Sequence, residues 1–262
     1  MATELGQAYV QIIPSAKGIS GAIKSQMDPE ASSAGISAGN TLGGKFVSVL
    51  KGVIAAAAIG KAFATALTEG AALQQSLGGV ETLFKGSADK VKKYADEAYK
   101  TAGLSANAYM ENVTSFSASL LQSVGGDTEK AADVANRAMI DMSDNANKMG
   151  TNMEMIIQTY QSLSRGNYAM LDNLKLGYGG TKSELQRLIK DSAQMKDVQD
   201  ELNLSVKEGD LSFGNIIDAI SVMQKHLGIT GTTAKEAAET FSGAFAAMKA
   251  SLSNVLGKMA LG

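Results

Sequence analysis

Proton transfer and nucleophilic catalysis need particular side chains at particular spacings. In this chain the candidates are the acids Glu81, Glu111 and Asp172 and the single histidine, His226. Paired carboxylates do general acid–base work because one holds a proton while the other is ionised, and none of these three acids has a partner at a defined spacing. Asp172, within residues 167–173, is more economically a turn or capping residue. His226 follows Lys225 in the last turn of an amphipathic segment, just before Gly228, where a cation suits the C-terminal end of a helix. The chain has no cysteine, which removes disulfides, thiolate metal sites and cysteine nucleophiles together. One histidine is too few for a His-based zinc site or triad. The cluster Gly177-Tyr178-Gly179-Gly180 is not a phosphate loop, because no Gly-Lys-Ser/Thr follows at the required place. These residues predict a protein that is not an enzyme and that takes no cofactor and no metal.

The elements that carry these residues are almost all helical in pattern. At 262 residues with 45% hydrophobic side chains, the chain can bury a core in one or two domains. Aromatics make up only 5% and tryptophan is absent, so the core is built from Ala, Leu, Ile, Val and Met, side chains that suit closely packed helices. The net charge is -2 with both signs interspersed, which leaves no basic footprint for sequence-specific nucleic-acid binding. The N-terminus lacks a basic stretch followed by an apolar run, so synthesis in the cytoplasm is expected.

The fold expected is all-α: a multi-helix bundle with a short N-terminal extended segment and a long C-terminal helix of coiled-coil-like periodicity. Four stretches are distinguished. Residues 1–30 hold the one strand candidate, residues 8–13, stopped by Pro14, and then a short helix that ends before Asp28-Pro29. Residues 31–70 form an Ala/Gly-rich apolar helix. Within it Ala31, Gly35, Gly39 and Gly43 recur every four residues and share one face, which lets two helix backbones approach closely in self-association. The apolar run 52–60 is bracketed by Lys51 and Lys61, far short of the ~20 apolar residues that span a bilayer. A buried or self-associating helix is the plainer reading, with conditional membrane insertion as the alternative.

Residues 71–210 are expected to be the helical bundle. A Gly78-Gly79 joint precedes a helix capped by Ser87, and Ser105 opens another whose stripe is Tyr109, Val113, Phe116, Leu120 and Val124. Asp127 caps the next, and Met153, Ile156, Ile157, Tyr160 and Leu163 mark one more after Gly150. Short joints make these helices antiparallel neighbours. The connector 164–181 interrupts the rhythm with four glycines, two tyrosines and three leucines. Its Tyr168, Leu171, Leu174, Leu176 and Tyr178 are expected to be buried in a packed corner. The polar stretch 194–210 is the candidate hinge.

Residues 211–262 are read as a capped helix and the start of a heptad-patterned one. Ser212 is the expected cap of the first. Thr233-Ala-Lys-Glu236 has the form of a capping box for the second. Ala234, Ala238, Phe241, Phe245, Met248, Leu252, Val255 and Met259 then alternate by four and three, the period of a coiled-coil seam. A long amphipathic helix packed on its own domain explains the same spacing. The chain stops without a clear helix terminator, which suggests the front of a longer helical protein.

Three segments carry a likeness: Gly6-Gln-Ala-Tyr-Val-Gln-Ile-Ile-Pro-Ser-Ala-Lys-Gly18, the block from Gly103-Leu-Ser-Ala-Asn-Ala-Tyr109 to Leu121, and Asn167-Tyr-Ala-Met-Leu-Asp-Asn-Leu-Lys-Leu-Gly-Tyr-Gly-Gly-Thr-Lys-Ser-Glu-Leu-Gln186. Together they resemble the N-terminal region of tail tape measure proteins of long-tailed bacteriophages and prophages, particularly those of Gram-positive hosts. The third is the most specific. The resemblance implies a structural role: parallel copies lie in the lumen of the virion tail, tube subunits polymerise around them, and protein length sets tube length. It implies tail tube, tail-tip and tail assembly chaperone proteins as partners, release at genome delivery, and transient contact with the host membrane or envelope. Family members are several times longer, and 262 residues reach only about 390 Å as one helix at roughly 1.5 Å per residue. A membrane-active pore former and a generic helical scaffold or adaptor remain the alternatives.

Overall fold

In a computed structural model, the backbone is described for residues 59–239 and, beyond them, 249–251, 253–255 and 257–258. Side chains are described from 70 to 236 and in the last three pieces. The strand candidate 8–13, the first helix, and Ala31, Gly35, Gly39 and Gly43 lie outside the described residues. So do Phe241, Phe245, Met248, Leu252 and Met259, and of Ala238 only the backbone is described. The described residues are all-α: nine α-helices and two short 3-10 turns. Among the described helices, none is long and apolar enough to cross a membrane.

Val113, Phe116 and Leu120 recur at the spacing that puts them on one helix face, and all three are buried in α-helix Ala106–Ser123. That helix, α3, is the centre of the packing. It follows α1 (Ile59–Phe84) and α2 (Ala88–Thr101) and precedes α4 (Thr128–Met149), α5 (Met153–Ser164), α6 (Lys182–Gln194), α7 (Lys196–Leu202), α8 (Phe213–His226) and α9 (Thr232–Glu239). It touches α1, α2, α4, α5 and α8. The Ser105 hydroxyl accepts from the Ala108 amide and opens α3, and the Asp127 carboxylate accepts from the Glu129 and Lys130 amides and opens α4. Pairings show the directions. Ser76 meets Asn107 at 2.6 Å and a Cβ on Gly79 would sit 3.3 Å from Thr114, so α1 and α3 run the same way. Ser87 meets Thr128 and Tyr94 reaches Asp133, so α2 and α4 run the same way as well.

Buried apolar side chains from Leu73 to Ile229 form one continuous core, in which the Phe116 and Phe213 rings meet edge to face at 5.9 Å between centroids. The α8 helix therefore shares its core with the helices before it.

Several local expectations differ from what is observed. Gly78-Gly79 is no joint: α1 runs straight through it and across residue 70, and Gly79 serves the close approach of α1 to α3. Ser87 makes no capping bond; its hydroxyl meets that of Thr128 at 2.9 Å, and a 3-10 turn, Lys85–Ser87, leads into α2. The stretch 194–210 contains a short helix and is anchored at Gln199 and Val206, the two buried positions in it. The buried Gln199 amide donates to the carbonyls of Ser192, Ala193 and Met195 and accepts from the Val206 amide. Asn215 accepts from the Lys207 amide and donates to the Lys207 and Asp210 carbonyls, and Ser212 makes no side-chain cap. The charged side chains of the stretch, among them Lys196, Asp197, Asp200, Glu201, Lys207 and Glu208, are exposed, while Gln199 is buried and finds its partners within the protein.

At the C-terminal end, Val255 is buried and Ala234 is exposed, so these two expected seam positions have unlike surroundings. Asn254 accepts from the Ala106 amide at 2.7 Å, Lys258 pairs with Asp96 at 2.9 Å, and Ala250 packs with Tyr99. This segment docks on α2 and the start of α3 above a cavity of about 190 Å³.

Candidate functional site

The connector 164–181 is built by the helices on either side of it. Gly166, at φ +73°, ends the turn after α5, and a 3-10 turn, Leu171–Leu174, drops two leucines into the core. Leu171, Leu174, Leu176 and Tyr178 are buried, and Tyr168 is partly buried against the same core. Its backbone carbonyls are claimed from α4, α5 and the turn between them: Asn145 donates to Leu174, Thr151 to Asn173, and Thr159 to Met170. A buried carbonyl costs free energy unless it is paired, so these bonds fix the path of the loop.

From the other side α6 clamps it. The Arg187 guanidinium stacks over the Tyr178 ring at 4.3 Å, donates to the Gly177 carbonyl at 2.8 Å, and pairs with Glu184. Glu184 in turn accepts from the Gly179 amide at 3.1 Å. The Arg187 hydrogen bond and then the Gly179 amide hold the Glu184 carboxyl down at about 2. Tyr178 donates to Asp191 at 2.8 Å, and burial followed by that hydrogen bond pushes its phenol up to about 12. At Gly180 a Cβ would lie 2.8 Å from the Ala169 carbonyl carbon and closer still to its oxygen, so only glycine fits.

A second cluster, absent from the sequence expectations, lies between α4 and α8. Arg137, Asp141 and Asp144 are carried by α4, and Asp218, Ser221 and Gln224 by α8. Arg137 pairs with Asp218, and Asp141 with the Ser221 hydroxyl, both at short range. Asp144 accepts from the Gly231 amide at 2.6 Å and the Thr233 amide at 2.8 Å, and its carbonyl accepts from the Thr232 hydroxyl. The start of α9 is thus capped from α4 and not by a Thr233 capping box; the Thr233 hydroxyl is buried without a hydrogen bond.

Asp141 is fully buried, and desolvation raises its carboxyl to about 7 against the pull of Ser221 and Arg137, with Asp144 and Asp218 pushing the same way as burial. Burial also raises Asp218 despite Arg137 beside it. The Tyr160 hydroxyl and both polar atoms of the Gln224 amide are buried with no hydrogen-bond partner. The sequence signal for this seam was α8 itself, with Ile216, Ile217, Ala219, Ile220, Val222 and Met223 spread around its circumference. A helix apolar on all sides is central, and its polar residues are buried with it.

Glu81, Glu111, Asp172 and His226 are all exposed and stand on α1, α3, the 3-10 turn and α8 respectively, so they do not form a constellation. Among the described residues no cluster of His or acidic side chains could hold a metal ion. What the connector and the seam can do is hold helices in register, because each is a set of mutually dependent hydrogen bonds whose partners come from separate elements. The chain matches no family model, no curated protein and no solved structure.

Proposed function

We propose that the chain is a structural protein of tail assembly, the N-terminal region of a tape measure protein that lies in the tail tube lumen, templates tube polymerisation and length, and leaves during genome delivery. The observation that carries the reading is the segment 167–186. It is the part most like that family, and it is also the part in which α5, α4 and α6 converge on one clamped corner. A sequence marker that coincides with a packed corner fits a rigid assembly module. The helical character of the described residues supports the same role.

The partners follow from this reading: parallel copies of the chain, tail tube and tail-tip proteins, assembly chaperones, and the host envelope in passing. The small-residue face of Ala31, Gly35, Gly39 and Gly43 and the heptad positions from Ala234 to Met259 are the association surfaces it assigns. Val255 is buried within its own chain, so that heptad position is taken up by the bundle and pairing between copies rests on the other positions of the seam. The test is to shorten and lengthen the helical part of the parent gene in steps and measure tails by electron microscopy. Tail length should change in proportion to residues removed or added, and constant length would sink the proposal.

A further inference from the structure

The α4–α8 seam holds more titratable groups than its hydrogen bonds neutralise, and one of those bonds depends on a single proton. The Ser221 hydroxyl lies 3.0 Å from the Ile217 carbonyl on its own helix and within bonding range of the Asp141 carboxyl. A hydroxyl has one hydrogen to give. When the Asp141 carboxyl is protonated, it donates to Ser221 and Ser221 donates to Ile217, so both bonds exist at once. When the proton leaves for solvent, the serine hydrogen must turn to the carboxylate, the Ile217 carbonyl loses it, and an ionised group is left inside the core.

The surroundings do not compensate for that charge. Arg137 on α4 already pairs with Asp218 on α8, Asp144 on α4 adds a second carboxylate, and Lys130 acts on Asp218. Tyr160 on α5 feels the charges of both Asp141 and Arg137, but its hydroxyl makes no hydrogen bond, and the Gln224 amide is likewise unpaired. Among the described residues, Arg137, Asp144 and Asp218 are the charges that bear on Asp141.

We propose that the Asp141–Ser221 contact is a proton-operated latch that holds α8 onto α4, closed while the carboxyl carries its proton and loosened when the proton is lost. The latch does not depend on the assembly role. Opening frees α8 and with it the turn that leads to α9, whose first amides Asp144 holds. In the open form Asp141 is hydrated and ionised throughout the neutral range, so opening costs a proton. Its equilibrium constant rises with pH until the closed form also ionises, then levels.

Hydrogen exchange of the whole chain, corrected for intrinsic rates, tests this at pH 5, 6, 7 and 8. Protection of the α8 amides from Ile216 to Gln224 should fall roughly tenfold per pH unit from 5 to 7 and level by 8. Those α2 amides from Val91 to Ala98 that exchange through openings smaller than global unfolding should change far less, and Asp141→Asn should flatten the α8 profile. Because that variant could fold poorly, the carboxyl carbon of Asp141 is followed by NMR in the wild-type protein, with a midpoint expected near neutrality. A flat wild-type profile, an unaltered slope in Asp141→Asn, an equal loss in those α2 amides, or a midpoint in the ordinary carboxylate range would overturn the latch.

Discussion

The Asp144 carboxylate, near the end of α4, accepts a hydrogen bond from the Thr233 amide 89 residues further along the chain, at 2.8 Å. The first turn of α9 is therefore capped by another helix. A helix that borrows its cap forms only when the lending helix is in place, which couples α9 to the bundle.

Asp144→Ala strips the acceptor from two amides, Gly231 and Thr233. Loss of a cap costs about 1–2 kcal/mol, and relief of repulsion with Asp141 returns part of it. The unfolding free energy from urea titration should fall by about 1 kcal/mol, and less in Asp144→Asn, which keeps one acceptor oxygen. An unchanged midpoint in Asp144→Ala would show that the cap adds nothing.

Gly180→Ala tests the connector. The new methyl group would drive into the Ala169 carbonyl, backbone that cannot swing aside, so the corner must shift and strain of about 1–3 kcal/mol is expected. Gly177→Ala, where a Cβ meets nothing within 4 Å but φ is +86°, carries only the conformational penalty and should cost about 1 kcal/mol. Thermal melting of the two variants should rank them in that order; the reverse order would refute the steric account.

How much was legible follows from which interactions leave a pattern. The stripe Val113, Phe116 and Leu120 and the caps Ser105 and Asp127 are local in sequence, so spacing alone marks α3 and the start of α4. Thr233 fails as a cap because its competitor, Asp144, comes from elsewhere in the chain and cannot be seen by counting three residues ahead. Gln199 misleads for a similar reason: polarity looks like exposure until its four backbone partners are known. The α4–α8 seam is the extreme case, since Asp141 and Ser221 acquire meaning only from being 80 residues apart and in contact.

Gly39→Leu tests the small-residue face. If Gly35, Gly39 and Gly43 let two backbones approach, a leucine there separates them and changes oligomer state or solubility, read by sedimentation velocity. Identical sedimentation and melting would rule out a tight contact at that position.

Glu184 governs the acid limb of the connector. Its carboxyl is held down at about 2, first by Arg187 and then by the Gly179 amide, below the ordinary value of 4.5. A depressed acid gives stability that is present above pH 4.5 and lost as pH falls through about 2. Glu184→Gln should therefore flatten the loss of stability between pH 4.5 and 2, measured by melting along a pH series. A variant that kept the wild-type acid slope would remove Glu184 from this role.

Asp141 acts in the opposite sense. Its folded carboxyl, at about 7, lies above the ordinary 3.8, so the folded state binds the extra proton between those values. Stability therefore falls as pH rises from about 4 to about 7 and stays low above that. Three pH units correspond to about 4 kcal/mol, an upper figure because the seam can relax around the charge. Asp218, raised by burial in the same direction, leaves a smaller slope of the same sign when Asp141 is removed. Asp141→Asn keeps a donor toward Ser221 with no charge to ionise, so it should match the wild type at pH 4 and exceed it at pH 8. A wild-type melting temperature that rises from pH 4 to 8, with the variant below it at pH 8, would show that the buried carboxylate is stabilised by Arg137 and that desolvation does not dominate.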